Sequence, residues 1–117
     1  MPIELSEERT RHRIARRIAK EFHDGDVVNL GIGIPTLVSD YIPEDVRIIF
    51  QTENGAIGAG PAPEVPDLRF IGAGGRPFVI MPGGCFVASD LSFGLIRGGH
   101  LDATVLGALQ VSQDGDL

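Results

Sequence analysis

The strongest candidate for chemistry is Glu53, which lies in the polar motif Gln-Thr-Glu-Asn-Gly at residues 51–55. The motif follows an apolar stretch predicted to be a strand, and ligands of parallel α/β sheets collect at the carboxyl ends of strands. A glutamate carboxylate is ionised at neutral pH and can attack an acyl group without a general base. Asn54 is placed to orient that carboxylate, and Gly55 would let a substrate approach the backbone. The alternative is a solvated turn residue with no part in catalysis.

A second candidate is the glycine-rich turn at residues 31–35 (GIGIP), between a predicted strand and a predicted helix. Backbone N–H groups at such a turn can bind a phosphate or a carboxylate, so Gly31 and Gly33 are candidate substrate-binding residues. A dinucleotide fingerprint would need a glycine at position 36, where the chain has Thr36, and Pro35 has no N–H to donate. A purely structural tight turn stays open as the alternative.

Weaker signals come from a cysteine, a histidine and an acidic stretch. No histidine is associated with Cys85 in the sequence pattern, so a role as a small buried side chain in the core is favoured over a role as a nucleophile. His100 is either a general base or a polar residue at the start of a strand, and the second interpretation is favoured. Residues 23–26 (HDGD) lack any recognised metal-ligand spacing, so the sequence predicts no metal site.

Composition indicates one compact domain spanning residues 1–117. The chain has 117 residues, of which 43% are hydrophobic, enough to bury a core. No apolar run approaches the roughly 18 residues of a membrane span, and the N-terminus lacks the apolar centre of a signal peptide. Cys85 is the only cysteine, which excludes an internal disulfide and favours a reducing cytoplasm. We therefore expect no membrane association.

Charge is unevenly distributed along the chain. The net charge is −6, but residues 1–22 carry +2, which leaves −8 on the remaining 95 residues. A nucleic-acid-binding protein would show a basic surface over the whole fold, so no nucleic-acid partner is expected. The basic stretch is interpreted as the solvated face of a helix.

Strand and helix patterns alternate along the chain. Helices are predicted over residues 6–23 (capped by Ser6, with Ile14, Ile18 and Phe22 on one face), 35–41 and 89–97, and strands over 26–30, 46–51, 69–72, 78–81 and 103–111. Residues 52–66 are predicted to be a loop, residues 82–84 a break and residues 113–115 a turn. The alternation predicts an α/β fold with a largely parallel sheet flanked by helices.

Three motifs occur in order: residues 28–36 (VNLGIGIPT), 51–55 (QTENG) and 96–102 (IRGGHLD). Together they resemble the β subunit of class I coenzyme A transferases, which act on 3-oxoacids such as acetoacetate and 3-oxoadipate. Residues 105–111 (VLGALQV) extend the resemblance. It implies that Glu53 is the nucleophile of the family's Glu-Asn-Gly motif. Thr52 stands where the family more often has serine, a change that keeps the hydroxyl.

The resemblance also implies a mechanism and a partner. CoA would pass from an acyl-CoA such as succinyl-CoA to a 3-oxoacid, as in ketone body metabolism, by a ping-pong route through a glutamyl-CoA thioester. No metal or redox cofactor is implied, and an α subunit and an oligomer are expected. The family's β subunit continues for about as long again, through a segment that helps to form an oxyanion site. The 117 residues resemble its N-terminal part only, so we expect this chain alone to be inactive and to associate.

Two other functions stay open. Sugar-phosphate isomerases of the ribose-5-phosphate type resemble coenzyme A transferases in fold. There, Glu53 would be a proton-shuttling base and residues 31–35 a phosphate cradle. The lysine partner expected of such an enzyme is missing, because the only lysine, Lys20, is on the first predicted helix. The other alternative is a non-catalytic subunit that serves only as a partner for an α chain.

Overall fold

The computed structural model describes residues 6–72 and 74–117. In chain order the elements are helix α1 (Glu7–Ala19), strand β1 (Val27–Leu30), a 3₁₀ helix (Ile34–Tyr41), strands β2 (Ile49–Gln51), β3 (Ala56–Ala59) and β4 (Ile80–Phe86), helix α2 (Ser89–Arg97) and strand β5 (Ala103–Val105). Within the described residues, the strands form one five-stranded sheet in the order β4-β3-β2-β1-β5.

The sheet combines a parallel part and an antiparallel part. β1 lies between β2 and β5 and runs parallel to both. β3 is antiparallel to both β2 and β4. The predicted α/β class is confirmed. The parallel part of the sheet consists of β2, β1 and β5, and the antiparallel pairs that β3 makes extend it on one side.

The two faces of the sheet differ in chemistry. Successive side chains of a strand point to opposite faces. On one face, Val28 packs with α1 and the 3₁₀ helix in a buried core, and Phe50 packs against that core. Asn29 and Gln51, the neighbours of these residues in sequence, are also buried, at 1% and 2% exposure, but point to the opposite face. There Gln51 donates to Ser92 of α2 and accepts from Asn29, so helices contact both faces of the parallel strands.

Helix α1 begins where the sequence predicts and ends earlier. Ser6 is the N-cap, and its hydroxyl accepts a hydrogen bond from the Arg9 N–H at 3.3 Å. The predicted apolar face is confirmed in part: Phe22 is buried and Ile18 packs against the core, but Ile14 is 41% exposed, and Ala15 and Ala19 are buried instead. Small alanine side chains let the helix pack closely against the 3₁₀ helix, which leaves the larger Ile14 outside the contact.

Several predicted strand boundaries are wrong. β3 lies inside the predicted loop 52–66, and the predicted break at residues 82–84 lies inside β4. The predicted strand 69–72 makes only an isolated bridge, between Ile71 and Pro77. β5 ends at Val105 instead of residue 111, and residues 106–117 are exposed. β5 pairs only with β1 among the described residues, so nothing there holds its continuation in an extended ladder.

No helix in the described part of the chain has the length and apolarity of a membrane span.

Candidate active site

Glu53 lies at the tip of the β2–β3 hairpin. The Gly55 N–H donates to the Thr52 carbonyl at 3.1 Å, which closes a turn with Glu53 and Asn54 at its central positions. The Thr52 N–H donates to the Ala56 carbonyl at 2.8 Å, and the Thr52 hydroxyl accepts from the Ala56 N–H at 2.9 Å. The carboxylate is therefore carried by a closed turn at the carboxyl end of β2.

Contacts from outside the hairpin hold the same turn. The Val87 N–H donates to the Gly55 carbonyl at 2.8 Å. Gly55 has φ +122°, and a Cβ atom at this position would lie 2.1 Å from the Val87 carbonyl oxygen, so only glycine fits. The Asn54 amide donates to the Ile71 carbonyl at 2.7 Å. Asn54 thus ties the turn to the loop after β3, whereas the sequence suggested that it orients the carboxylate.

A cavity of about 430 Å³ opens beside this turn. Half-buried Glu53 lines it, together with Gly31 from the end of β1 and Thr36 and Asp40 from the 3₁₀ helix. Two of the candidate residues from the sequence, Glu53 and Gly31, are brought together here because β1 and β2 are parallel and end at the same edge. Three others, Gly33, Asn54 and Gly55, do not line the cavity.

The glycine-rich turn of residues 31–35 has a clear structural role. The Gly31 N–H donates to the Val105 carbonyl at 2.8 Å, and a Cβ atom on Gly31 would lie 2.8 Å from that same oxygen. Gly33, at φ +87°, starts the 3₁₀ helix, and its carbonyl accepts from the Thr36 N–H at 3.0 Å. Gly31 therefore forms part of the cavity wall while its N–H is used to hold β5.

In the described part of the chain, two arginines and two acidic residues are the charged residues that line the cavity. Arg47 and Arg76 line it with Glu53 and Asp40. The Arg76 guanidinium lies 3.9 Å from the Asp40 carboxylate and donates to the Thr36 carbonyl at 3.4 Å. Among the described residues, no hydrogen bond or ion pair engages the Glu53 carboxylate. Of the two acidic side chains at the cavity, Glu53 is the one available for reaction with a ligand.

A row of polar side chains beneath the turn was not predicted from the sequence. Gln51, Asn29 and Thr104 are register partners across β2, β1 and β5, and they are linked by side-chain hydrogen bonds. Ser92 of α2 extends the row, accepting from the Gln51 amide at 2.8 Å. The only signal in the sequence is a polar residue within or at the end of an apolar strand, and the strand register that aligns these residues cannot be read from that pattern.

The weaker sequence candidates lie apart from this site. Cys85 is an exposed residue of β4, not the buried filler that the sequence favoured. His100 is exposed, follows α2 and does not line the cavity. In residues 6–72 and 74–117, no group of three or more His, Cys, Asp or Glu side chains is placed to hold a metal ion.

The fold and the site together define an α/β domain that presents a half-buried glutamate carboxylate at the carboxyl ends of parallel strands, beside a cavity lined with arginine. Residues 11–117 match the sequence profile described as "Coenzyme A transferase", and the chain belongs to the coenzyme A transferase family.

Three relatives show the range of the similarity. The chain is 53% identical over 108 residues to the β subunit of the acetate CoA-transferase of Escherichia coli K12, covering 92% of this chain and 49% of the relative. It is 44% identical over 110 residues to one subunit of the 3-oxoadipate CoA-transferase of Acinetobacter baylyi, covering 92% and 51%. It is 51% identical over 113 residues to the human mitochondrial succinyl-CoA:3-ketoacid coenzyme A transferase 2, covering 95% and 22%. The chain thus spans about half the length of these bacterial subunits, and the resemblance to β subunits is confirmed.

Proposed function

We infer that this chain carries the nucleophile of a coenzyme A transferase that moves CoA from an acyl-CoA, such as succinyl-CoA, to a 3-oxoacid. The observation that carries this proposal is the placement of Glu53. Its carboxylate lies at the tip of a clamped hairpin, lines a cavity of about 430 Å³ and has no ion-pair partner among the described residues. A carboxylate held in this way is free to attack an acyl carbon.

The proposed cycle has two halves that mirror each other. The Glu53 carboxylate attacks the thioester carbonyl of the donor, which forms a mixed anhydride and releases CoA as a thiolate. The thiolate then attacks the Glu53 carbonyl, so that a glutamyl-CoA thioester forms and the donor acid leaves as a carboxylate. The acceptor acid reverses both steps and leaves as its CoA thioester, which regenerates Glu53. No electrons are exchanged, so the cycle needs no redox cofactor.

The proposed partner is an α subunit. The relatives from Escherichia coli and Bacillus subtilis are named as β subunits, and a chain so named implies a second type of chain. Glu53 is only partly buried, so water can reach its carboxylate on this chain. A second subunit would exclude water from the anhydride, which would otherwise hydrolyse.

The isomerase alternative finds no support in the site. The lysine partner that such an enzyme would need is missing, because the only lysine, Lys20, follows α1 and does not line the cavity. A phosphate site at residues 31–35 is also disfavoured. The Gly31 N–H already donates to the Val105 carbonyl, and Pro35 has no N–H to donate.

The proposal is tested by trapping the intermediate on Glu53. The complete β chain, assembled with its α subunit, is incubated with succinyl-CoA and then treated with borohydride, which reduces a glutamyl thioester to the corresponding alcohol. Peptide mass mapping should locate the reduced residue at position 53. The acceptor series acetoacetate, 3-oxoadipate and acetate, assayed with the same enzyme, then defines the substrate. Reduction at Asp40, the other carboxylate of the cavity, or at no residue would contradict the proposal.

A further inference from the structure

Three of the four residues in the polar row beneath the Glu53 turn are buried, and their side-chain nitrogen and oxygen atoms are all paired. Asn29, Gln51 and Ser92 are exposed by 1%, 2% and 0%. Among the described residues, no buried side-chain nitrogen or oxygen lacks a hydrogen-bond partner. Burying polar side chains costs free energy unless each is paired, and apolar residues could fill the same space without that requirement. The opposite face of the same strands is apolar, with Val28 and Phe50 in or against the core.

The hydrogen bonds of the row run in one direction. The Ser92 carbonyl can only accept, so the Gln51 group that lies 3.0 Å from it must be the Nε2 amide, whose second proton goes to the Ser92 hydroxyl at 2.8 Å. The Gln51 Oε1 oxygen therefore faces Asn29 and accepts from its Nδ2 amide at 3.1 Å. That leaves the Asn29 Oδ1 oxygen to accept from the Thr104 hydroxyl at 3.1 Å.

The row ends on the turn that carries Glu53. The Ser92 hydroxyl has already accepted from Gln51, so its own proton is free to donate to the Thr52 carbonyl, 3.2 Å away. This same carbonyl oxygen accepts the Gly55 N–H that closes the turn. Both lone pairs of one oxygen are therefore used, one by the hairpin and one by the row. A packing contact would hold α2 on the sheet, but it would not fix the orientation of the Thr52 peptide group.

We propose that Thr104, Asn29, Gln51 and Ser92 form a positioning row for catalysis: through the Thr52 carbonyl, they fix the turn that aims the Glu53 carboxylate into the cavity. This role rests on the proposed function of Glu53. None of these side chains except Gln51 lines the cavity, so Ser92, Asn29 and Thr104 act through the backbone. Loss of the row should slow acylation of Glu53 while leaving the binding of acyl-CoA unchanged.

The test compares Ser92→Ala with Ser6→Ala in the complete transferase. Both variants lose one serine hydroxyl that stabilises a helix or a turn, but Ser6 caps α1, on the other face of the sheet. Ser92→Ala should lower kcat and the rate of thioester formation at Glu53 by about tenfold or more, because small misplacements of a reacting group are costly. The KM for acyl-CoA should stay within about twofold of the wild-type value, since ground-state binding is untouched. Ser6→Ala should keep the wild-type kcat at a comparable loss of Tm.

Amide hydrogen exchange on the complete transferase gives a second readout that does not depend on activity. In Ser92→Ala, the Gly55 and Ala56 amides should exchange faster, while amides of α1 keep their rates. Thr104→Val, at an exposed position, serves if Ser92→Ala does not fold, and should accelerate the same amides and lower kcat several-fold. Wild-type kcat, or a lower kcat with unchanged exchange at Gly55 and Ala56, would overturn the positioning role. If the wild-type enzyme forms no adduct on Glu53, the proposed function fails, and exchange alone decides whether the row holds the turn.

Discussion

At the scale of single residues, the proposed chemistry of the site depends on the carboxylate of Glu53. Glu53→Gln keeps the size and shape of the side chain but removes the anionic nucleophile. We expect transferase activity to fall by a factor of about 10⁴ or more, as it does when other covalent enzymes lose their nucleophile. The free energy of unfolding should change little, because no described residue pairs with this carboxylate. Steady-state kinetics, with peptide mass analysis to exclude deamidation, checks the prediction.

The matched control is Glu64→Gln, at an exposed position in the loop after β3. It carries the same chemical change and should retain full activity. Substantial turnover by Glu53→Gln, with deamidation excluded, would show that the mechanism does not use an acyl-glutamyl intermediate.

Gly55 and Gly94 offer a contrast between two glycines. Gly55→Ala would place a Cβ atom 2.1 Å from the Val87 carbonyl oxygen at a φ of +122°, so we expect a loss of about 2 kcal/mol or more. Gly94 lies within α2, where an added Cβ atom would meet no neighbouring group within 4 Å. Gly94→Ala should therefore stabilise the chain by about 0.5–1 kcal/mol through helix propensity. Urea unfolding midpoints of the two variants should move in opposite directions, and a shift in the same direction would contradict this account.

The residues of the site differ in how far the sequence predicts them. Glu53 could be located from its motif and from its position after an apolar strand. Ser92 could not, because it meets Gln51 only after α2 has packed across the sheet, 41 residues away in sequence. Asn29 looks like an interruption of an apolar strand until register places it beside Gln51. The sequence contains the polar groups, but pairing between distant elements decides which of them act together.

At the scale of elements, the antiparallel part of the sheet was the hardest to predict. β4 contains Pro82 and two glycines, which normally mark a break, but it is an edge strand with an irregular stretch between the pairs Ile57–Cys85 and Ala59–Ile80. Proline is tolerated at edges and bulges because no ladder N–H is needed there. The remaining elements were predictable because caps and apolar runs are local signals, whereas tolerance of proline depends on the neighbouring strand.

The loop between β3 and β4 contains an ion pair whose effect on pH dependence can be predicted. Hydrogen bonds from the Arg69 side chain and backbone lower the pKa of Asp67 from 3.8 to about 2. Because the folded-state pKa lies below the ordinary value, the pair stabilises the loop above pH 3.8, and this contribution is lost as the pH falls towards 2. The pair is at the surface, so its effect on global stability should be small.

Carboxyl NMR titration of the chain measures this directly. Asp67 should titrate near pH 2, and Arg69→Gln should raise its midpoint towards 3.8. Arg97→Gln, on α2, removes an arginine elsewhere and should leave the Asp67 midpoint where it is. A wild-type midpoint near 3.8 would mean that the ion pair does not form in solution.

At the scale of the whole molecule, the chain is extended and incompletely covered. Its radius of gyration is 15.1 Å, whereas a compact domain of this length has about 13 Å. Large apolar side chains are exposed on β4, on α2 and beyond β5: Phe86, Leu91, Phe93, Leu106, Leu109 and Val111. Exposed apolar side chains beside an open sheet edge favour association with another chain.

We therefore expect the purified 117-residue chain to form oligomers whose mass rises with concentration. The double substitution of Leu109 and Val111 by serine should reduce this association, because both follow the β5 edge strand. The same substitution of Val65 and Leu68, which are also exposed but lie in the β3–β4 loop, should have little effect. Light scattering over a concentration series checks both expectations, and a monodisperse monomer throughout would contradict them.

The cationic side chains that line the cavity in the described part of the chain are arginines, Arg47 and Arg76, while the sole lysine, Lys20, follows α1. An anhydride acylates any primary amine within reach, and the resulting amide is not reopened by a thiolate. A guanidinium group stays protonated and is no such acceptor, although it provides the same positive charge. In the proposed cycle, the arginines that this chain contributes to the cavity would therefore provide positive charge without diverting the activated acyl group into a permanent modification. Under the proposed mechanism, having arginine instead of lysine at the cavity protects the chain from acylating itself.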